Sequence, residues 1–284
     1  MSIFESDRVI QETVSEATLR VYDAGFDQGA YRLKSLSDVI FYALPEFALG
    51  YSPKGIPDSK IIERVKSAAE IFYNTDNFKK RGEFGELVLH LLLRDFCGTT
   101  PLVSKIYFKD SANVAVHGFD AIHVTDIGGE KSLWLGEAKI HHDAQGGIMS
   151  LNDDLKKHFK EDYLRKEFLT ISQKIAVLND EVIPDRDYWL DLMHKHTTLD
   201  NIFQSITVPM LCVYDSGLYK THTDATDEYA KHMNIEIGKL RDLFNRRKYK
   251  ITTNLNVVLM LFPVPSKEEL LNELHARLKN AQGI

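Results

Sequence analysis

Apolar residues recur at helical spacing in five stretches of this chain. Each stretch places its apolar side chains on one face of a 3.6-residue turn, which is the pattern of an amphipathic helix. The predicted helices are a run capped by Asp58 and Ser59, residues 79–96, Leu151–Leu178, Asp227–Phe244 and a last run that begins with the capping box at Ser266–Glu269. The helical spacing of apolar residues before residue 76, in a segment rich in charged residues, predicts an N-terminal helical region over residues 1–75.

The period changes to that of extended strands after residue 100. Three β-rich runs follow one another, separated by turn-forming residues: Leu102–Phe108, Phe119–Ile127 and Ser132–Ile140. The later runs Val208–Tyr214 and Leu255–Val264 are almost wholly apolar, as is typical of strands covered on both faces. The order α-β-β-β-α-β-α-β-α predicts an α/β fold, with a mixed central sheet flanked by helices.

Composition narrows the class of protein without identifying it. The 284 residues are 44% apolar and 27% charged, which excludes disorder and coiled coil as overall descriptions. The longest apolar run, Val257–Phe262, is too short to span a bilayer, and the N-terminus lacks the apolar segment of a secretory signal. Cys97 and Cys212 stand far apart and outside any CxxC motif, which argues against a disulfide scaffold or a zinc cage. We therefore expect a cytoplasmic enzyme or binding module without membrane association.

The charge balance is acidic. Thirty-five Lys and Arg residues stand against 41 Asp and Glu residues, a formal net charge of −6. No global field then attracts nucleic acid, which weakens a role in coating DNA non-specifically. An enzyme with an acidic metal site, or one that receives DNA from a partner, is still compatible with this balance.

One group of residues has the chemistry of a metal-dependent hydrolase. Asp120 begins a predicted strand, and Glu137, Ala138 and Lys139 lie in the next strand along the chain. Because side chains alternate across a strand, Glu137 and Lys139 project from one face and Ala138 from the other. If the strands pair, the two carboxylates and a backbone carbonyl form an all-oxygen site for Mg²⁺ or Mn²⁺. Lys139 would orient or deprotonate the attacking water and neutralise charge on a phosphate.

The competing interpretation of the Glu137-x-Lys139 pair is an ordinary surface ion pair, which contributes little to stability. The apolar neighbours argue against it, because charges buried among apolar residues are costly without a partner or a function. These neighbours are Leu133, Trp134, Leu135 and Ile140.

Asp120…Glu137-Ala138-Lys139, with Glu86 in the helix before them, resembles the signature of the PD-(D/E)XK, or restriction-endonuclease-like, nuclease superfamily. The resemblance covers about residues 80–215 and implies an αβββαβ core. Asp120, Glu137 and the carbonyl of Ala138 would bind the metal, Lys139 would be the catalytic lysine, and Glu86 an accessory acid, with Glu83 as its competitor. Phe119 stands where the superfamily pattern has proline.

The predicted domains are therefore an N-terminal helical region over residues 1–75 and a nuclease domain over residues 76–284. Residues 180–205 have no strong period and are interpreted as an insertion in that domain.

The run GFDAIHV…LWLGEAKIH also resembles, more narrowly, the HamA-type effector of Hachiman anti-phage defence. This resemblance implies a metal-dependent DNA nuclease partnered with a superfamily 2 helicase of the HamB type. Two other functions are compatible with the residues: a catalytically silent nuclease-fold subunit that binds DNA or has a structural role, and an RNase or structure-selective resolvase on the same fold. Joint retention of Asp120, Glu137 and Lys139 argues against the silent subunit.

Overall fold

Strands from both halves of the chain build one seven-stranded mixed sheet in the computed structural model. The structure describes residues 6–50, 57–72, 82–104, 118–176, 183, 185–247 and 255–283. Within these ranges, no helix combines the length and the apolar character that crossing a bilayer requires.

The strands lie in the sheet in the order β1-β2-β9-β8-β7-β6-β5. Their bounds are β1 Gln11–Ser15, β2 Leu19–Asp23, β5 Thr100–Ser104, β6 Ala121–Ile127, β7 Glu130–His141, β8 Ile206–Asp215 and β9 Asn256–Val264. The four central strands β2, β9, β8 and β7 run parallel, whereas β1, β6 and β5 join by antiparallel pairs. Two short strands, β3 Phe26–Asp27 and β4 Ala30–Tyr31, form a separate hairpin.

Helices cover both faces of the sheet. On one face lie α1 Leu33–Tyr42, α2 Leu44–Leu49, α3 Ile61–Phe72, α4 Glu83–Phe96 and α10 Lys267–Gln282. On the other lie α5 Ala144–His158, α6 Glu161–Ala176, α7 Arg186–Leu192, α8 Leu199–Gln204 and α9 Asp227–Arg247. Almost every residue of β8 and β9 is buried, as the two almost wholly apolar runs predicted.

The predicted α/β fold is confirmed. The order α4-β5-β6-β7-α5, followed by α6, α7 and α8 and then β8, contains the predicted αβββαβ core with further helices before its last strand. The predicted strands over residues 119–127, 132–140, 208–214 and 255–264 are all present. At the last helix, the Ser266 hydroxyl accepts a hydrogen bond from the Glu269 N–H, as the capping box predicted. The part of the first predicted strand beyond Ser104 lies outside the described residues, as do residues 79–81 at the start of the helix predicted over residues 79–96.

The prediction that residues 1–75 are helical is wrong for their first part. β1 and β2 occupy residues 11–23 and extend the main sheet, because β2 pairs with β9. β1 is an edge strand whose residues are alternately exposed and half-buried, so it carries few apolar residues that could reveal a period of two. The helices α1, α2 and α3 do follow, within the described residues 33–50 and 57–72.

The single long helix predicted over residues 151–178 is also wrong, because the chain breaks at Phe159 and Lys160 into α5 and α6. The charges around the break suit two helix ends. Lys156, Lys157 and His158 close α5, and Glu161 and Asp162 open α6, each beside the helix pole of opposite sign.

Residues 180–205, interpreted as an insertion, contain the short helices α7 and α8 in their described part. Trp189 and Ile202 from these helices are buried in the same core as α5 and α6. The segment therefore contributes to the core on that face of the sheet.

Gly147 lets α5 lie close against the sheet. A Cβ at this position would come within 2.5 Å of the Cys212 sulfur and 3.3 Å of the His141 Cβ. A Cβ added at Gly238, in the interior of α9, would meet no atom within 4 Å. The two helical glycines therefore differ in the space around them.

We expect Gly147→Ala to lower the free energy of unfolding by about 1–3 kcal/mol, because the methyl group must push α5 away from the buried Cys212. The matched substitution Gly238→Ala should raise it by about 0.5–1 kcal/mol through helix propensity alone. Urea denaturation of both variants measures the difference. Equal stabilisation by the two substitutions would contradict the close packing of α5.

Candidate active site

The pairing of β6 with β7 brings Asp120 beside the Glu137–Lys139 segment. Ala121 pairs with Gly136, and the Asp120 N–H donates to the Gly136 carbonyl at 2.9 Å. The Asp120 side chain then accepts a hydrogen bond from the Ala138 N–H at 3.0 Å. Because Asp120 precedes the strand by one residue, this hydrogen bond fixes its carboxylate at the end of the β6–β7 ladder.

The side chains of β7 alternate as predicted. Glu137 and Lys139 face α5 and meet its side chains, whereas Ala138 faces α4 and packs in the opposite core. Asp120 is 7% exposed and Glu137 3%, so both carboxylates are buried. The structure therefore brings three of the predicted site residues, Asp120, Glu137 and Lys139, into one cluster.

Helix α5 supplies two partners that the sequence analysis missed. Asp154 forms a close ion pair with Lys139, and the His158 Nδ1 lies 2.5 Å from Oε1 of Glu137. Asp154 and His158 are four residues apart and so lie on one face of the helix. This four-residue spacing, on the helix that directly follows the strand of Glu137, is the signal in the sequence from which the two partners could have been predicted.

The electrostatics of the cluster keep its lysine charged. Burial alone would lower the pKa of Lys139, but the ion pair with Asp154 and the charges of Glu137 and Asp120 outweigh burial and raise this pKa. Burial lowers the pKa of His158 to about 4, so its imidazole is neutral near pH 7.

The residues present suit a divalent cation. Asp120, Glu137 and Asp154 place three carboxylates around the single ammonium group of Lys139, in a largely buried part of the structure. The carboxylates therefore outnumber the ammonium by two charges, which a cation of charge +2 would offset. The described residues include no group of three His, Cys, Asp or Glu side chains already arranged to hold a metal ion. Mg²⁺ suits such a site, because it is usually bound by one or two carboxylates and keeps several waters.

The helix acids lie in another layer. Helix α4 covers the opposite face of the sheet, where Gly85 stands against Ala138 and Ile140. Glu86 is buried on this helix and Glu83 only half-buried, which favours Glu86 as the helix acid. Its accessory role stays a prediction, as does metal binding by the Ala138 carbonyl.

Comparison with known proteins associates the chain with one family. A family model described as HamA matches residues 1–278. No curated protein matches the chain. The family match includes both the N-terminal strands and the segment that carries Asp120, Glu137 and Lys139.

We expect the ion pair between Lys139 and Asp154 to contribute measurably to stability. In a double-mutant cycle with Lys139→Met and Asp154→Asn, the coupling energy should be at least about 1 kcal/mol, because the two groups are in contact and largely shielded from water. Urea denaturation of the four proteins gives this energy.

The exposed pair Arg241–Glu16, at 3.1 Å, is the matched control and should give about 0.2–1 kcal/mol. A Lys139–Asp154 coupling no larger than that of the control would contradict the described geometry of the cluster.

Proposed function

The chain belongs to the HamA family and is a Hachiman defence-related protein, and from that premise we propose that it is a metal-dependent DNA nuclease that hydrolyses phosphodiester bonds. The observation that carries the proposal is the convergence of Asp120, Glu137 and Lys139 on one face of the sheet. Two carboxylates beside an ammonium group provide oxygen ligands for a divalent cation and a positive charge for a phosphate. The same residues carry the resemblance to the PD-(D/E)XK superfamily.

Each residue has a defined role under this proposal. Asp120 and Glu137 would hold Mg²⁺ or Mn²⁺, with the Ala138 carbonyl as a further oxygen ligand. The bound ion would supply an activated water and positive charge at the phosphate. The Lys139 ammonium, held by Asp154, would stabilise the negative charge that develops on the phosphate during attack. Glu86 would support the site from α4.

The acidic balance of the chain suggests how DNA reaches the site. A protein with a net charge of −6 attracts DNA weakly over long distances. We therefore assign delivery of the DNA to a helicase subunit of the superfamily 2, HamB type. A cytoplasmic location belongs to the same proposal, because helicase and DNA would meet the chain there.

We expect Lys139→Ala to reduce plasmid cleavage in the presence of Mg²⁺ or Mn²⁺ by about 100-fold or more, because charge stabilisation at the phosphate is lost. EDTA should abolish cleavage by the wild-type protein. The assay compares the chain alone with the chain co-expressed with its helicase partner, so that an inhibited state of either form is detected.

Lys131→Ala is the matched control, because Lys131 lies at the other end of β7 and pairs with Asp126 and Asp185. The rate at which this variant cleaves the plasmid should stay within a few-fold of the wild-type rate, as expected for the loss of a surface ion pair. A Lys139→Ala protein that folds normally and cuts at the wild-type rate would rule out the mechanism. Cleavage of RNA in place of DNA would favour the RNase alternative.

We also expect the isolated chain to bind duplex DNA weakly. Between 50 and 200 mM salt its affinity should fall by less than about tenfold, whereas a protein with six to ten phosphate contacts loses about 10³–10⁵. Fluorescence anisotropy with EDTA present measures this slope without cleavage. A steep slope would show that the chain holds DNA by itself and would contradict delivery by a partner.

A further inference from the structure

His158 contacts one of the two carboxylates directly. Its Nδ1 lies 2.5 Å from Oε1 of Glu137, and both residues are buried, at 6% and 3% exposed. Under the proposed function Glu137 is an ionised metal ligand with no hydrogen to give, so the imidazole N–H is the donor. A buried hydrogen bond of this kind fixes the direction in which the Glu137 carboxylate faces.

Aromatic rings hold the imidazole in place on two sides. Tyr163 stacks on it with ring centres 4.6 Å apart and planes 10° apart. Phe119 packs with its ring at 80° to the imidazole and a centre-to-centre distance of 5.5 Å. Because rings pack against the imidazole in two different orientations, His158 has little freedom to rotate away from Glu137.

The break between α5 and α6 makes this arrangement possible. In a continuous helix, residues five apart point about 140° away from each other and do not stack. Here α5 ends at His158 and α6 begins at Glu161, so the chain turns and Tyr163 comes back onto the imidazole.

Phe119 connects the same histidine to the other carboxylate. It directly precedes Asp120 and occupies the position where the superfamily pattern has proline. Its ring contacts both His158 and Phe159 at the end of α5. One side chain therefore couples the backbone beside Asp120 to the donor that orients Glu137.

We propose that His158 is a positioning residue that orients the Glu137 carboxylate for binding a divalent cation together with Asp120. This inference rests on the proposed function, because it assumes that Glu137 is a metal ligand. His158 acts through Glu137, and partners of this kind typically change metal affinity or activity by about 10- to 100-fold when they are removed.

The test measures Mn²⁺ binding to the full-length chain by calorimetry, without DNA. His158→Phe keeps a ring between Tyr163 and Phe119 but removes the donor, and should weaken Mn²⁺ binding by about 10- to 100-fold. A second pair of variants tests the same point in case His158→Phe does not fold. His158→Asn and His158→Leu have similar shapes, and only asparagine offers an N–H, so the Asn variant should bind Mn²⁺ about tenfold more tightly than the Leu variant.

The outcomes separate this inference from the proposed function. If wild type binds Mn²⁺ and the Phe, Asn and Leu variants bind it equally tightly, the positioning role is wrong while the metal site stands. Tighter binding by the Phe variant would show that His158 competes with the cation and would also overturn the inference. If wild type binds no Mn²⁺, the proposed function fails, and the inference falls with it.

Discussion

The antiparallel register of β6 against β7 is the constraint on which the site depends. Side chains alternate along a strand, so a slip of one residue would send Glu137 and Lys139 into the core under α4 and bring Ala138 toward α5. The Ala121–Gly136 pair and the hydrogen bond from the Ala138 N–H to Asp120 hold this register at the end of the ladder. The contacts from Asp154 and His158 exist only because β7 presents this face to α5.

Glycine residues set the distance between the sheet and the helices on its two faces, close to Glu137 and Lys139. Gly85 of α4 lies so close to β7 that a Cβ there would come within 3.2 Å of Cγ1 of Ile140, and Gly147 of α5 lies against Cys212 and His141. The helices on the two faces therefore both press close to the sheet where Glu137 and Lys139 are found. Close packing on both sides limits the movement of the strand, which suits a site whose groups must keep their separations.

The sequence predicted what depends on local pattern. The period of two placed Glu137 and Lys139 on one face, and the apolar runs of β8 and β9 predicted a sheet covered on both sides. What it missed depends on contacts distant in the chain. β2 is a strand because Leu19 pairs with Leu259, 240 positions away, and no local period shows this. His158 reaches Glu137 by a contact between helix and sheet, and the apolar stripe of its helix does not show this contact; only its four-residue spacing from Asp154 indicated it.

Under the proposed function, the negative charge of the site makes the binding of DNA depend on the binding of the metal ion. Asp120, Glu137 and Asp154 make this part of an acidic chain repulsive to a phosphate, and Lys139 offsets only part of that charge. A divalent cation bound there would offset the negative charge that Lys139 leaves uncompensated, so substrate binding would be coupled to metal binding. The chain's net charge of −6 adds no overall long-range attraction for DNA. Under the same proposal, access to DNA would be set by whatever holds the substrate near the site, which is the role proposed for a helicase subunit.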